Sequence, residues 1–303
     1  MTSNISMPFS LVQSLSSIPV ASIDVETTGA SADYGHRIIE VGIVRYENGR
    51  KIAEYQQLID PRRPISPGVT ALTGITQAMC DGQPTFSRQL PAMLSLLAGA
   101  AILGHNIGFD LSFLTREFRA AGHDMNQALA NPHVLDTVRI ARRRFGRGGN
   151  GLGALSRRLG HEPAGAHRAL PDAQTTAIVF DLLLAPIGGW GICLCDALKD
   201  QGGPMAIAPA SAGESLLPLE LEDALENHRP VMMEYLDANQ MRTRRIVDPI
   251  ELRRVAGELV LIAHCHLRND RRNFKLERIV QLTRIDPGGV GHSPNLATSD
   301  NQR

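Results

Sequence analysis

The 303-residue sequence carries no excess of either charge, with 31 Lys and Arg against 31 Asp and Glu. A uniformly basic nucleic-acid-binding coat is thereby excluded, although basic patches segregated along the chain are not. Cysteine is scarce. The four present (Cys80, Cys193, Cys195, Cys265) are too few and too scattered for a disulfide framework. Lys and Arg are missing from Met1 to Val20, so this stretch lacks the basic n-region of a secretory signal. It reads as a leader, 1–18, to a first strand. No apolar run approaches the ~18–20 residues that cross a bilayer. The longest uncharged one, Leu90 to Gly104, contains Pro91 and runs into His105 and Asn106. No internal repeat is present. The expectation is a soluble, cytoplasmic protein without membrane contact.

Hydrophobic residues at 43% and charged residues at 20% match ordinary globular usage, and the length accommodates two domains. Composition places the first at 19–186. The segment 187–215, rich in Gly, Pro, Ala and Ser towards Gly213, reads as linker. A second domain spans 216–286, and 287–303 reads as a flexible tail. The first domain opens with a strand at Val20 to Val25. Strands at Ile38 to Tyr46 and Ile52 to Ile59 follow, turning at Glu47-Asn48-Gly49-Arg50. Short strands at Ala101 to Gly104 and Val134-Leu135 then alternate with helices at Phe109 to Ala120, Leu152 to Leu159 and Pro171 to Leu184. A meander followed by strand–helix alternation predicts an α/β fold, a mixed sheet flanked by helices.

Asp24 and Glu26 are two apart on a strand, so both side chains share one face. Two carboxylates at a buried strand end repel and lose hydration, and hard divalent cations reverse that sign. The following Thr27-Thr28-Gly29 turn offers backbone donors to a sugar hydroxyl or phosphate. Asp110 follows Gly104-His105-Asn106-Ile107-Gly108-Phe109 at a strand-to-helix junction, where α/β sheets bind ligands. His167 precedes Asp172 by five residues, and Asp172 stands in the first turn of a helix. Singly, each has a bland reading: a polar strand end, a carboxylate on a helix dipole, a solvated loop histidine.

Together, Asp24-Val25-Glu26-Thr27-Thr28-Gly29, Gly104 to Asp110 and His167 to Asp172 resemble the three motifs of the DEDDh 3′–5′ exonucleases. The epsilon proofreading subunits of bacterial DNA polymerase III belong to this family. Leu72-Thr73-Gly74-Ile75-Thr76 is similar to a further family segment, and the likeness covers Pro19 to Leu184. The resemblance implies an RNase H-like fold and a two-metal site for Mg²⁺ or Mn²⁺ held by Asp24, Glu26, Asp110 and Asp172. His167 would be the general base, and Thr27, Thr28, Gly29, Ile75, His105, Asn106 and Phe109 would contact substrate. It further implies hydrolysis from a free 3′ end of nucleic acid, with single-stranded DNA favoured, releasing nucleoside 5′-monophosphates in proofreading, replication or repair.

Between Arg139 and Arg158 lie seven arginines (139, 142, 143, 144, 147, 157, 158) and no Asp or Glu, a stretch suited to tracking phosphates. In the second domain, strands are expected at Pro230 to Tyr235, Arg242 to Asp248, Glu258 to His266 and Ile279 to Ile285, after a helix at Leu217 to Asn227. Val231 to Tyr235, Gly257 to Ala263 and Phe274 to Ile279 resemble the WYL domain, a small Sm/SH3-like β-barrel. The signature aromatics are replaced by Leu259-Val260-Leu261. The basic cluster Arg268, Arg271, Arg272, Lys275 and Arg278 remains, and an anionic ligand is the expectation there, although charge between 216 and 286 balances at twelve against twelve. Cys193-x-Cys195 and His264-Cys265-His266 fit no common zinc spacing, and Trp190 reads as packing a connector. Two other readings stay open: a ligand-sensing regulator on a non-catalytic exonuclease scaffold, and an exoribonuclease on short RNA. A DNA polymerase partner and a homo-oligomer are likewise open.

Overall fold

The computed structural model describes residues 9–32, 35–130, 132–164, 167–207, 219–237, 241–255 and 258–285. Val20–Thr27 (β1), Ile38–Glu47 (β2), Arg50–Leu58 (β3), Ala101–Gly104 (β4) and Val134–Asp136 (β5) form one sheet in the order β3-β2-β1-β4-β5. β1, β2 and β3 are the antiparallel meander, while β4 and β5 run parallel to β1. Asn48 and Gly49 make the β2–β3 turn at φ 52° and 68°, the left-handed pair that a two-residue hairpin requires.

Nine helices accompany this sheet among the described residues: Pro67–Thr73 (α1), Gln77–Cys80 (α2), Phe86–Leu97 (α3), Ile107–Ala120 (α4), Met125–Ala128 (α5), Thr137–Phe145 (α6), Leu152–Arg158 (α7), Ala169–Leu184 (α8) and Leu194–Asp200 (α9). The period of two along β1 sorts its side chains. Ala21, Ile23 and Val25 enter a core with α3 and α4 (Phe86, Leu90, Phe113, Phe118). Val20 enters a second core with α6, α7 and α8 (Ile140, Leu155, Val179, Phe180), and the Ser22 hydroxyl donates to the Ala173 carbonyl of α8 at 2.8 Å. The even-numbered face of β1, which carries Asp24 and Glu26, therefore looks towards α8.

Both ends of the first domain extend further than composition suggests. Within the expected leader, Leu15 and Ile18 are buried in the second core. Within the expected linker, Leu194, Ala197 and Leu198 join the same core and Ile207 joins the first. Gln201 donates to the Val134 carbonyl and accepts the Asp136 N–H. A few well-spaced apolar residues suffice to dock a segment of Gly- and Pro-rich composition. Trp190 stacks on Tyr46 and meets Phe180 edge-on, at centroid distances of 5.8 and 5.7 Å. The rest of the expected linker, the tail and residues 1–8 lie outside the described residues. Residues 1–207 are accordingly expected to melt as a folded unit. Stopping at 190 strips away several buried Leu and Ile side chains and should lower Tm by about 10 °C or more. Thermal unfolding of the two fragments checks this, and equal melting temperatures would reject it.

In the second unit a helix, Leu219–Asn227 (α10), precedes Val231–Leu236 (β6), Arg242–Val255 (β7), Glu258–Cys265 (β8), Asp270–Lys275 (β9) and Ile279–Arg284 (β10). The order is β10-β6-β7-β8-β9, antiparallel throughout. The first strand lies between the last and the second, and the core is Leu221, Met233, Tyr235, Val247, Leu261 and Phe274. β9, absent from the expected strands, is exposed along Asp270 to Asn273 and buries Phe274. The two units touch at glycines. At Gly68 of α1 a Cβ would fall 2.2 Å from Gln281 Oε1 and 2.3 Å from Glu234 Oε2. The Gly149 N–H donates to Asp223 Oδ1 at 3.2 Å. No described helix is long and apolar enough to cross a membrane.

Candidate active site

β4 ends at Gly104, and its pairing with β1 stops at Ser22↔Leu103. β1 continues, so its edge opens beside the N-terminus of α4. Asn106 turns the chain there at φ 58°, a left-handed conformation that Asn tolerates. The turn aims buried Asp110 at the free edge, where its Oδ1 accepts the Val25 N–H at 3.0 Å. On the other face, α8 approaches β2 at Gly42, the register partner of Asp24. A Cβ at Gly42 would lie 2.2–2.4 Å from the backbone of Ala169 and Leu170. That close approach brings Asp172 to the carboxylates of β1: Asp24, Glu26 and Asp172 each place an oxygen within 4.8 Å of the others.

Asp172 Oδ2 accepts the His167 N–H at 2.8 Å and the Arg168 N–H at 3.3 Å. His167 sits at φ 61° with its side chain exposed. Across the sheet from Glu26 stands Glu40, which the sequence motifs do not include. It accepts the Arg168 guanidinium through two nitrogens and the Ala169 N–H at 3.0 Å. Asp136 caps α6, accepting from Val138 and Asn106 backbone N–H groups.

Burial first, and crowding second, set the electrostatics. Burial raises the Asp24 carboxyl well above the ordinary range, and the charges of Asp110, Glu26, Asp172 and Glu40 add to it. Glu26 is raised by burial, then by Asp172, Glu40 and Asp110, with Arg168 opposing. Burial pushes Asp110 up to about 8, partly offset by the Val25 N–H. It pushes Asp172 up to about 6 against the His167 and Arg168 N–H groups. For Glu40, burial alone would act upward, yet Arg168, Ala169 and Gln56 outweigh it and hold the carboxyl low. The surrounding protein pushes the His167 imidazole down, which favours the neutral ring that can accept a proton. Half-buried, mutually repelling carboxylates beside buried Asp110, all hard oxygen donors, fit a divalent cation.

The remaining expected contacts divide. Thr27 donates its hydroxyl to the Gly29 carbonyl. Thr28 is buried, its hydroxyl occupied by the Arg37 N–H and by His36. Gly29 lies against the His36 ring, which a Cβ would meet at 2.3 Å. His105 is buried and bonded to Thr137 through Nδ1 at 2.8 Å. Phe109 packs beside Phe113. Ile75 is wholly buried among Ile39, Ile65, Val69 and Cys80, where α1 and α2 fold over β2.

The arginine stretch is in part structural. Arg144 pairs with Asp200 and the Leu183 carbonyl, and Arg158 lies over the Phe145 ring. In the second unit Arg268, Arg271 and Arg272 are exposed, and Arg271 pairs with Glu251 at 3.1 Å. Cys193 and Cys195 form a single local disulfide. Cys265 is a buried free thiol and His266 bonds Asp248. Among the described residues these two clusters form no joint metal group.

The family model described as Exonuclease (RNase_T) matches residues 21–180, more than half of the chain. The chain belongs to the exonuclease family. A second model, described as WYL domain, matches residues 218–284. The chain is 37% identical over 159 residues to the 3′-5′ exonuclease DinG of Bacillus subtilis, covering 52% of this chain and 17% of that one. It is 36% identical over 183 residues to a DNA polymerase III subunit epsilon-like protein of Rhodobacter capsulatus, covering 59% and 25%. It spans about a quarter or less of the length of these relatives. Among solved structures it is similar to E. coli exonuclease I in complex with a dT13 oligonucleotide (TM-score 0.52, 16% identity, 81% of this chain and 55% of that one). It is also similar to a 3′-exonuclease that recognises a histone mRNA stem-loop (TM-score 0.51, 19% identity, 60% and 68%). These structural likenesses concern the fold alone.

Proposed function

We propose that the protein is a 3′–5′ exonuclease that hydrolyses the terminal phosphodiester of single-stranded DNA and releases nucleoside 5′-monophosphates. The observation that carries this reading is the convergence of Asp24, Glu26 and Asp172 within 4.8 Å of one another. Asp110 stands at the adjacent strand edge and His167 is held by backbone to Asp172. Asp24, Glu26 and Asp172 would hold one Mg²⁺ or Mn²⁺, and Asp24 with Asp110 a second. Such a pair supplies charge stabilisation for the attacking and leaving oxygens of a phosphodiester. The protein's own part is to accept the water's proton on the His167 imidazole and to present fixed carboxylates. Asp172 spends Oδ2 on backbone N–H groups, which fixes the orientation of the carboxylate beside Asp24 and Glu26.

The second unit serves as a nucleic-acid-binding or anion-binding module through Arg268, Arg271, Arg272, Lys275 and Arg278. The test is one panel: end-labelled single-stranded DNA, duplex DNA and RNA, digested by the full chain and by residues 1–207 at two salt concentrations. Laddering of single-stranded DNA from the 3′ end is expected, with tighter binding and a steeper salt dependence for the full chain. Preference for RNA would move the reading to the exoribonuclease. Silence on every substrate with metal present would move it to a binding scaffold. Equal salt slopes for the two chains would remove the nucleic-acid role of the second unit.

A further inference from the structure

The segment 167–169 is strung between two carboxylates. On one side Asp172 Oδ2 takes the backbone N–H groups of His167 and Arg168. On the other, Glu40 takes Arg168 Nη2 on Oε1 at 2.7 Å, Arg168 Nε on Oε2 at 3.0 Å and the Ala169 N–H on Oε2 at 3.0 Å. Glu40 is itself fixed by Gln56 Nε2 at 2.9 Å and by its place on β2 opposite Glu26, and its side chain is 0% exposed. Arg168 remains 39% exposed. A bidentate guanidinium–carboxylate fork fixes direction as well as distance. Here it pins the residue between His167 and the first turn of α8 to the strand next to β1. Without it, the segment keeps only its backbone bonds, His167 and Arg168 to Asp172 and Ala169 to Glu40, and these alone must resist the repulsion among Asp24, Glu26 and Asp172.

We propose that Glu40 and Arg168 are positioning residues of the exonuclease: their ion pair holds the His167–Asp172 segment in the geometry that assembles the metal-holding carboxylates and aims the imidazole. Neither residue touches substrate, and the role rests on the reading of the site given above. A purely structural ion pair would affect melting and leave metal affinity and turnover alone. A positioning pair would act on metal affinity and kcat while leaving the binding of DNA unchanged.

The experiment compares the full chain with Arg168→Ala, Arg168→Lys, Glu40→Gln, the Arg168→Ala/Glu40→Gln double variant and Asp172→Asn. The readouts are Mn²⁺ affinity of the apo protein by calorimetry, kcat and KM on a single-stranded DNA oligonucleotide, and Tm. Arg168→Ala is expected to lower kcat by roughly 10–100-fold, the scale of a small misplacement of reacting groups. KM should hold while Mn²⁺ affinity falls several-fold, and lysine should restore part of both. The double variant should be no worse than Arg168→Ala, since residues acting as a unit do not add. Wild-type kcat and Mn²⁺ affinity in Arg168→Ala, or losses that multiply in the double variant, would overturn the proposal. Arg168 reaches solvent, so its variants keep the test decisive if Glu40→Gln fails to fold. An inactive Asp172→Asn beside an unaffected Arg168→Ala rejects the positioning role and leaves the site standing. An active Asp172→Asn rejects the site itself.

Discussion

Asp24→Ala and Asp172→Asn are each expected to abolish cleavage. A divalent cation at a phosphodiester is worth several kcal/mol of charge stabilisation, and losing about 4 kcal/mol slows a reaction by ~10³-fold. Asp24 is the residue most crowded by like charge, facing Asp110, Glu26, Asp172 and Glu40. Its removal relieves repulsion in the metal-free protein, so Tm should hold or rise while activity disappears. His167→Ala should behave differently, with a rate lower by roughly 10²–10⁴-fold, as for loss of a general base, and metal affinity retained. Oligonucleotide digestion, metal titration and thermal melting on the same preparations separate these outcomes. Near-wild-type rates in all three variants would refute the site.

Chelation is the second large effect. Excess EDTA should silence the enzyme, and Mg²⁺ or Mn²⁺ should restore it. It should also expose a pH dependence of stability whose sign is unusual for carboxylates. Asp110 is pushed up to about 8 and Asp172 to about 6, both above the ordinary value near 3.8. The folded protein therefore binds more protons than the unfolded chain between those limits, and stability must rise as pH falls. His36 and His105, both pushed down to about 4, act in the opposite sense once pH drops below 6.5. The window from about pH 8 to 7, between the titrations of free imidazole and free thiol, is where the carboxylates dominate. There Tm in EDTA should climb as pH is lowered, and saturating Mg²⁺ should raise Tm and flatten the slope. A flat or inverted profile in EDTA would show that the carboxylates are not crowded in the way the geometry requires.

The five residues of the motifs were readable because each stands at a predictable point: a strand end for Asp24 and Glu26, the first turn of a helix for Asp110 and Asp172, a loop for His167. The period of two predicted that Asp24 and Glu26 share a face, and α8 supplies the third carboxylate to that face. What escaped were partners brought in by pairing. Glu40 lies inside the buried, otherwise uncharged run Ile38 to Ile43. A single charge in such a run is the one local signal that a buried carboxylate was being retained, but its partner is 128 residues away. β9 escaped because it is mostly exposed, and strands are read from alternating burial. The docked segment up to residue 207 escaped because composition averages over the few residues that anchor it. The packing of Ile75 was not legible either, because a motif segment carries no local sign of which side chains turn into the core.

Gly42 carries none of the chemistry, yet it sets the spacing of the site. The gap between the strand beside Asp24 and the helix bearing Asp172 is the width of a missing side chain, since any Cβ at 42 would overlap the Ala169–Leu170 peptide. An inventory of ligands is therefore an incomplete test of competence in chains built this way. All four carboxylates and the histidine can be present and the protein still be inert, if the strand next to the first ligand bears a side chain where the helix must touch down.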